Sequence, residues 1–152
     1  MKTALISLFS VLFVFAQAWA KHFDGAWELH SGEYINEQNE LVKYEQLEMK
    51  SMKVIFGDHF SFISHARGEF WASGGGEIEY TDNEYIEVPL YTSYQIKPGT
   101  QYTFSYKREG DFWYNERWQD GVRVEYEVWK RIKDSELADL DCLTCSESMF
   151  LE

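Results

Sequence analysis

Two cysteines three positions apart, four histidines, a run of three glycines and 26 acidic residues are the parts of this chain with chemistry to offer. Cys142-Leu143-Thr144-Cys145 has a spacing that supports redox work when a helix start or a neighbouring cation lowers one thiol pKa. Here the pair sits among Asp139, Asp141 and Glu147, and negative charge raises a thiol's pKa. A local or intermolecular disulfide is therefore the first expectation, ahead of catalysis or a two-ligand metal site. His59 and His65 fall on one strand parity, but six residues at about 3.3 Å each hold them too far apart to share a metal ion. Hydrogen-bonded or surface histidines are expected, with a lone haem-binding His as the minor alternative.

Gly74-Gly75-Gly76 is followed by neither a helix signature nor the Lys-Ser or Lys-Thr that a phosphate loop needs. It reads as a strand bend or bulge at a barrel corner. The carboxylates offer no basis for choosing among them. Glu77 and Glu79, and likewise Glu125 and Glu127, alternate with apolar neighbours in the pattern of a solvated exterior. There is no Ser-His-Asp order, no Gly-x-Ser-x-Gly and no zinc-hydrolase helix. No catalytic residue, metal site or cofactor is assigned, and a non-enzymatic role is expected.

The elements that must position any site are strands. Aromatic residues make up 18% of the chain, a bias toward pleated sheet, and apolar residues recur with period two. Trp27 and Leu29 alternate with Glu28 and His30, Val54 and Phe56 with Lys53 and Ile55, and Phe60 and Phe62 with Ser61. Ile78 and Tyr80, then Tyr102, Phe104 and Tyr106, then Val122, Val124, Tyr126 and Val128 continue the series, each set expected to face a core. Turn chemistry separates the runs at Asn36 to Asn39, Gly57-Asp58, Asp82-Asn83, Pro98-Gly99, Glu109-Gly110-Asp111 and Asp120-Gly121. Glu40 to Met52 reads as a loop with an extended second half, a short helix being the alternative. About eight strands without room for crossover helices make an antiparallel, mostly up-and-down sheet, closed into a barrel, with an open two-sheet sandwich as runner-up.

Residues 1–20 have the form of a secretion signal: Lys2, an apolar stretch, then Ala18-Trp19-Ala20. The apolar stretch is short of the ~20 residues that span a bilayer, and no Cys lies at the cleavage point, so a secreted or periplasmic protein is expected. Residues 21–133 form the barrel domain and 134–152 an acidic tail with a helical turn or irregular structure. A net charge of -12 without clustered basic residues argues against a nucleic-acid partner and against anionic membranes. The expected state is a monomer.

Four stretches carry a resemblance: Gly25-Ala26-Trp27-Glu28-Leu29, Gly57-Asp58-His59-Phe60-Ser61-Phe62-Ile63, Ala72-Ser73-Gly74-Gly75-Gly76-Glu77-Ile78-Glu79-Tyr80 and Glu127-Val128-Trp129-Lys130-Arg131-Ile132. In order and spacing they resemble the small lipocalin-like domains of secreted and envelope bacterial proteins, and more distantly the lipocalins and fatty-acid-binding proteins. The resemblance implies that the first and last strands pair, with Gly25, Trp27, Trp129 and Arg131 at the seam and a cation from Lys130 or Arg131 over the Trp27 indole. It also implies an enclosed site for a small apolar molecule. Fatty-acid-binding proteins hold a carboxylate with Arg-x-Tyr on the final strand. Glu127 and Trp129 stand there in this chain, which counts against a carboxylate ligand held that way. Parity places Tyr80, Phe104, Tyr106, Tyr114 and Tyr126 inside or near the mouth, core packing being the alternative for each. Arg117 shares a face with Trp113 and Asn115 on a strand apolar on both sides, which leaves its orientation open. A second role, through a filled barrel, is protein interaction or inhibition by the acidic loops; a third is a barrel enzyme acting on lipid or haem.

Overall fold

Alternating side chains suit the two faces of a pleated strand. In the computed structural model, which describes residues 22–133, they build β1 (Gly25–Ile35), β2 (Leu41–Lys43), β3 (Lys50–Phe56), β4 (His59–Ala66) and β5 (Glu69–Tyr80). The chain continues through β6 (Glu84–Thr92), β7 (Tyr102–Glu109), β8 (Phe112–Gln119) and β9 (Val122–Arg131), and a single 3-10 turn, Tyr44–Leu47, separates β2 from β3. Successive strands from β3 to β9 pair antiparallel, and β9 returns to pair with β1. Eight long strands thus close into a barrel, with no sandwich. The short β2 extends one edge of β1 at Glu33 to Ile35, beyond the Gly25 to Glu28 stretch that β3 occupies.

The seam is the expected one. Trp27 lies opposite Arg131 and Leu29 opposite Trp129, with a bulge before Ser31. Trp27 is fully buried, and its indole N–H donates to the Phe23 carbonyl at 2.8 Å. The Arg131 guanidinium lies 4.2 Å from the Trp27 ring centroid and that of Arg108 4.7 Å from it. Lys130 instead reaches Glu28 on the outside, at 3.1 Å. Gly25 has φ +130°, and a Cβ there would collide with the Arg131 guanidinium, so both backbone and space call for glycine. Phe23, ahead of the first strand, plugs this end of the barrel. Its ring lies 4.8 Å from Trp113, 5.0 Å from Tyr85 and 5.2 Å from Tyr80.

Glu40 to Met52 has the expected extended second half, where β3 begins, but its first half is β2 and the 3-10 turn in place of a plain loop. Arg67-Gly68, φ +53° and +80°, joins β4 to β5 as tightly as Asp120-Gly121 joins β8 to β9, although arginine is no turn former. The parity of β3 and β9 is inverted. Lys53 and Ile55 are buried while Val54 and Phe56 are exposed, and on β9 Glu127 and Trp129 are buried, as is Val128 between them. The anchor is Trp129, paired across the sheet with the fully buried Trp113. Glu127 and Glu125 share its parity and must face inward.

The three glycines behave as expected of a bulge. The β5–β6 register shifts between Gly75 and Gly76, and a Cβ on Gly76 would meet the Val88 carbonyl. Cys142, Cys145, the leader and the tail lie outside the described residues. Among the described residues no helix is long and apolar enough to cross a membrane.

Candidate ligand-binding cavity

One half of the barrel is filled by aromatic rings and the other is open. β1 runs from the plugged end to the open end, so the open end collects the C-termini of β1, β4, β6 and β8 and the N-termini of the strands that follow them. A cavity of about 640 Å³ occupies it. Its walls include Phe62, Trp71, Tyr94, Tyr102 and Phe104. The deep end is charged: Lys53, Glu87 and Glu127 are all buried and line the same space, beside Trp129.

Burial of a charge is costly unless a partner is provided, and the strands provide one for each cation. Lys53 Nζ donates to Glu87 Oε1 at 2.5 Å. Burial pushes the Lys53 ammonium down, but the fields of Glu87, Glu127 and Glu125 and the Glu87 hydrogen bond outweigh it, and its pKa lies above the ordinary lysine value. Lys53 is therefore a fixed cation at neutral pH. Aromatic faces surround it as well, with Nζ 4.7 Å from the Trp129 centroid and 5.4 Å from that of Trp113. Arg117 Nε donates to Glu125 Oε2 at 2.7 Å, and Tyr44 donates its hydroxyl to the other oxygen at 3.3 Å. Burial, then Glu127 and Glu125, hold the Tyr44 pKa far above the ordinary phenol range, so it remains a donor.

Glu127 is the group left over. It is 9% exposed, and its one hydrogen bond among the described residues comes from the Trp129 indole N–H to Oε2 at 2.8 Å. Burial is the first cause that raises its pKa, to about 7. Lys53 and the indole N–H pull it down, while Glu125 and Glu87 push it up. Opposite it across the β8–β9 pair is Asn115, fully buried, whose side-chain amide finds no hydrogen-bond partner among the described residues.

Of the residues singled out from the sequence, Phe104 and Arg117 line this cavity. Arg117 is on the inner face, with its guanidinium 5.6 Å from the Tyr102 ring. Tyr80 and Tyr106 point inward but at the plugged end, against Phe23 at 5.2 and 5.1 Å. Tyr106 also donates its hydroxyl to the Thr81 carbonyl. Tyr114 and Tyr126 are corrected to the outer wall, where both border a shallow groove beside Lys107 and Glu116. Trp129, read only as a seam residue, is also a cavity residue. The reading of the sequence missed Lys53, Glu87 and Glu127. Lys53 and Glu127 lie on strands whose outer faces are apolar too, and Glu87 alternates with Ile86 and Val88 in the same way. The available signal was a charge held between apolar neighbours on both sides.

His59 is exposed beside Asp58, and no cluster of three or more metal-ligating side chains occurs among the described residues. No protein-family model matches the chain, and no curated protein matches it. What stands is a closed, antiparallel, eight-stranded barrel with an acidic, aromatic-walled cavity at one end.

Proposed function

We propose that this protein is a lipocalin-like, non-enzymatic binding or carrier protein that takes up one small molecule at the open end of the barrel. The observation that carries this reading is the cavity of about 640 Å³ above a plugged and filled lower half. A ligand site of this size is ordinary for a small molecule. The charged deep end changes the class of ligand from purely apolar to amphipathic, with an apolar body along Phe62, Trp71 and Phe104. The Lys2-led apolar stretch up to Ala20 supports an exported protein.

Isothermal titration with two neutral probes, tryptophol and 1-octanol, tests the reading. At roughly 0.4–0.5 kcal/mol per heavy atom, tryptophol should bind near 0.1 mM and the smaller 1-octanol at about 1 mM. Ala72 lines the cavity, so Ala72→Trp should weaken both probes at least tenfold while leaving the circular dichroism spectrum unchanged. No binding by either probe or by its amine analogue, or equal binding by Ala72→Trp, would contradict the reading.

One observation favours a second role, as a module that docks on a protein partner. Phe70, Trp71, Leu90, Tyr91, Trp118 and Val122 all lie toward the open end and are 53–79% exposed, and large exposed apolar side chains gathered at one end can mark an interaction surface. That role predicts partner binding indifferent to Ala72→Trp.

A further inference from the structure

We propose that the occupant of the cavity carries a cationic head, a protonated amine or a quaternary ammonium, seated at the Glu127 carboxylate with its apolar body along the aromatic walls. The inference rests on the binding reading above and narrows it to a chemical class. Charge accounting leads there. The cavity lining holds two cations, Lys53 and Arg117, and four carboxylates, Glu37, Glu87, Glu125 and Glu127. Lys53 is committed to Glu87 at 2.5 Å and Arg117 to Glu125 at 2.7 Å. Glu37 is exposed at the rim. Among the described residues Glu127 alone is both buried and without an ion-pair partner, and its only hydrogen bond there is on Oε2.

An incoming carboxylate or phosphate would add charge of the same sign beside Glu87, Glu125 and Glu127. A neutral head would make a hydrogen bond and leave the surplus charge in place. A cation relieves the repulsion, and Glu37 at the rim attracts it on the way in. The walls already show that they suit an ammonium group: Lys53 Nζ sits 4.7 Å from the centroid of Trp129, the same ring that bonds Glu127.

A ligand cation would take the place of a proton. Burial raises the Glu127 pKa to about 7, so near neutral pH the carboxylate is partly protonated, and binding a cation should expel that proton. Lys53 on β3, Glu125 on β9 and Glu87 on β6 act on it, Tyr85 on β6 and Tyr44 in the 3-10 turn feel its charge in return, and Arg117 on β8 and Tyr34 on β1 line the same cavity. Of these Lys53, held above the ordinary lysine value by its carboxylate neighbours, stays a cation through the range, and burial raises the pKa of Tyr44 and of Tyr85. Affinity for an amine should therefore rise from pH 6 to pH 8, where alkylamines stay protonated.

The test is calorimetric titration of the full chain with two matched series: tryptamine, tryptophol and indole-3-acetate, then octylamine, 1-octanol and octanoate. Each amine should bind at least tenfold tighter than its alcohol and lose at least fivefold between pH 8 and pH 6, with the carboxylate weakest. Glu127→Gln should bring the amine-to-alcohol ratio to within twofold of one, while Glu127→Asp, which keeps the charge, retains the preference. Alcohols that bind as well as amines would overturn the cationic head and leave the binding reading intact. Failure of all six probes would remove both. An amine preference that persists in folded Glu127→Gln would overturn the assignment to Glu127.

Discussion

Glu127 ties stability to pH in a direction opposite to that of most carboxylates. Its folded pKa of about 7 lies above the ordinary value of 4.5, so between those two values the native state holds a proton that the unfolded chain releases. The stabilisation is complete below the ordinary value and is lost as pH rises through the folded one. On the order of 1–3 kcal/mol should disappear between pH 5 and pH 8 through this group. Glu127→Gln keeps the shape and removes the titration. Urea unfolding at the two pH values should show the variant gaining stability relative to wild type at pH 8 and little at pH 5; equal differences at both would contradict the assignment. This residue was not legible in the sequence because the apolar Tyr126 and Val128 flank it, and Val128 is itself buried. Lys53, between Met52 and Val54, was hidden in the same way. Its partner Glu87 is 34 residues away, and only the closed sheet brings the two together. Tyr114 and Tyr126 were misplaced by the same assumption, that the greasier face of a strand is always the inner one.

At the scale of elements, the edge of β1 that faces β3 is shared. β3 takes its first half and β2 the end of its second half, and the 3-10 turn lies over the stretch between. Gly32 makes that contact feasible: a Cβ there would stand 2.7 Å from the Tyr44 ring and would also collide with the Tyr126 carbonyl. Tyr44 in turn holds Glu125 at the cavity. Gly32→Ala should therefore cost about 1–3 kcal/mol by overpacking, read as a lower urea midpoint, and an unchanged midpoint would contradict the tight packing at this position. Turns were the most legible elements, because Asp and Gly announce a left-handed backbone at Gly57 and at Asp120-Gly121. Arg67-Gly68 gave half that signal, since Arg67 takes φ +53° without the side chain that favours it. The shared edge had no sequence signature. Gly32 stands alone in a strand, and β2 is three residues long.

For the whole molecule, the decisive feature is a barrel closed by β1 and β9 and filled only halfway. Closure was readable from Gly25 and Trp27 at one end of the domain and Trp129 and Arg131 at the other, because those few bulky and charged side chains fit one another across a seam. Partial filling was not readable. It depends on Phe23, from outside the strands, plugging the lower end, and on charged side chains standing apart above it. Native mass spectrometry of the protein purified from its own source without denaturation tests the outcome most directly, with Ala72→Trp purified in parallel. The account predicts a wild-type peak accompanied by a single non-covalent small-molecule adduct that is missing from Ala72→Trp. A bare wild-type protein, or the same adduct on both, would contradict it.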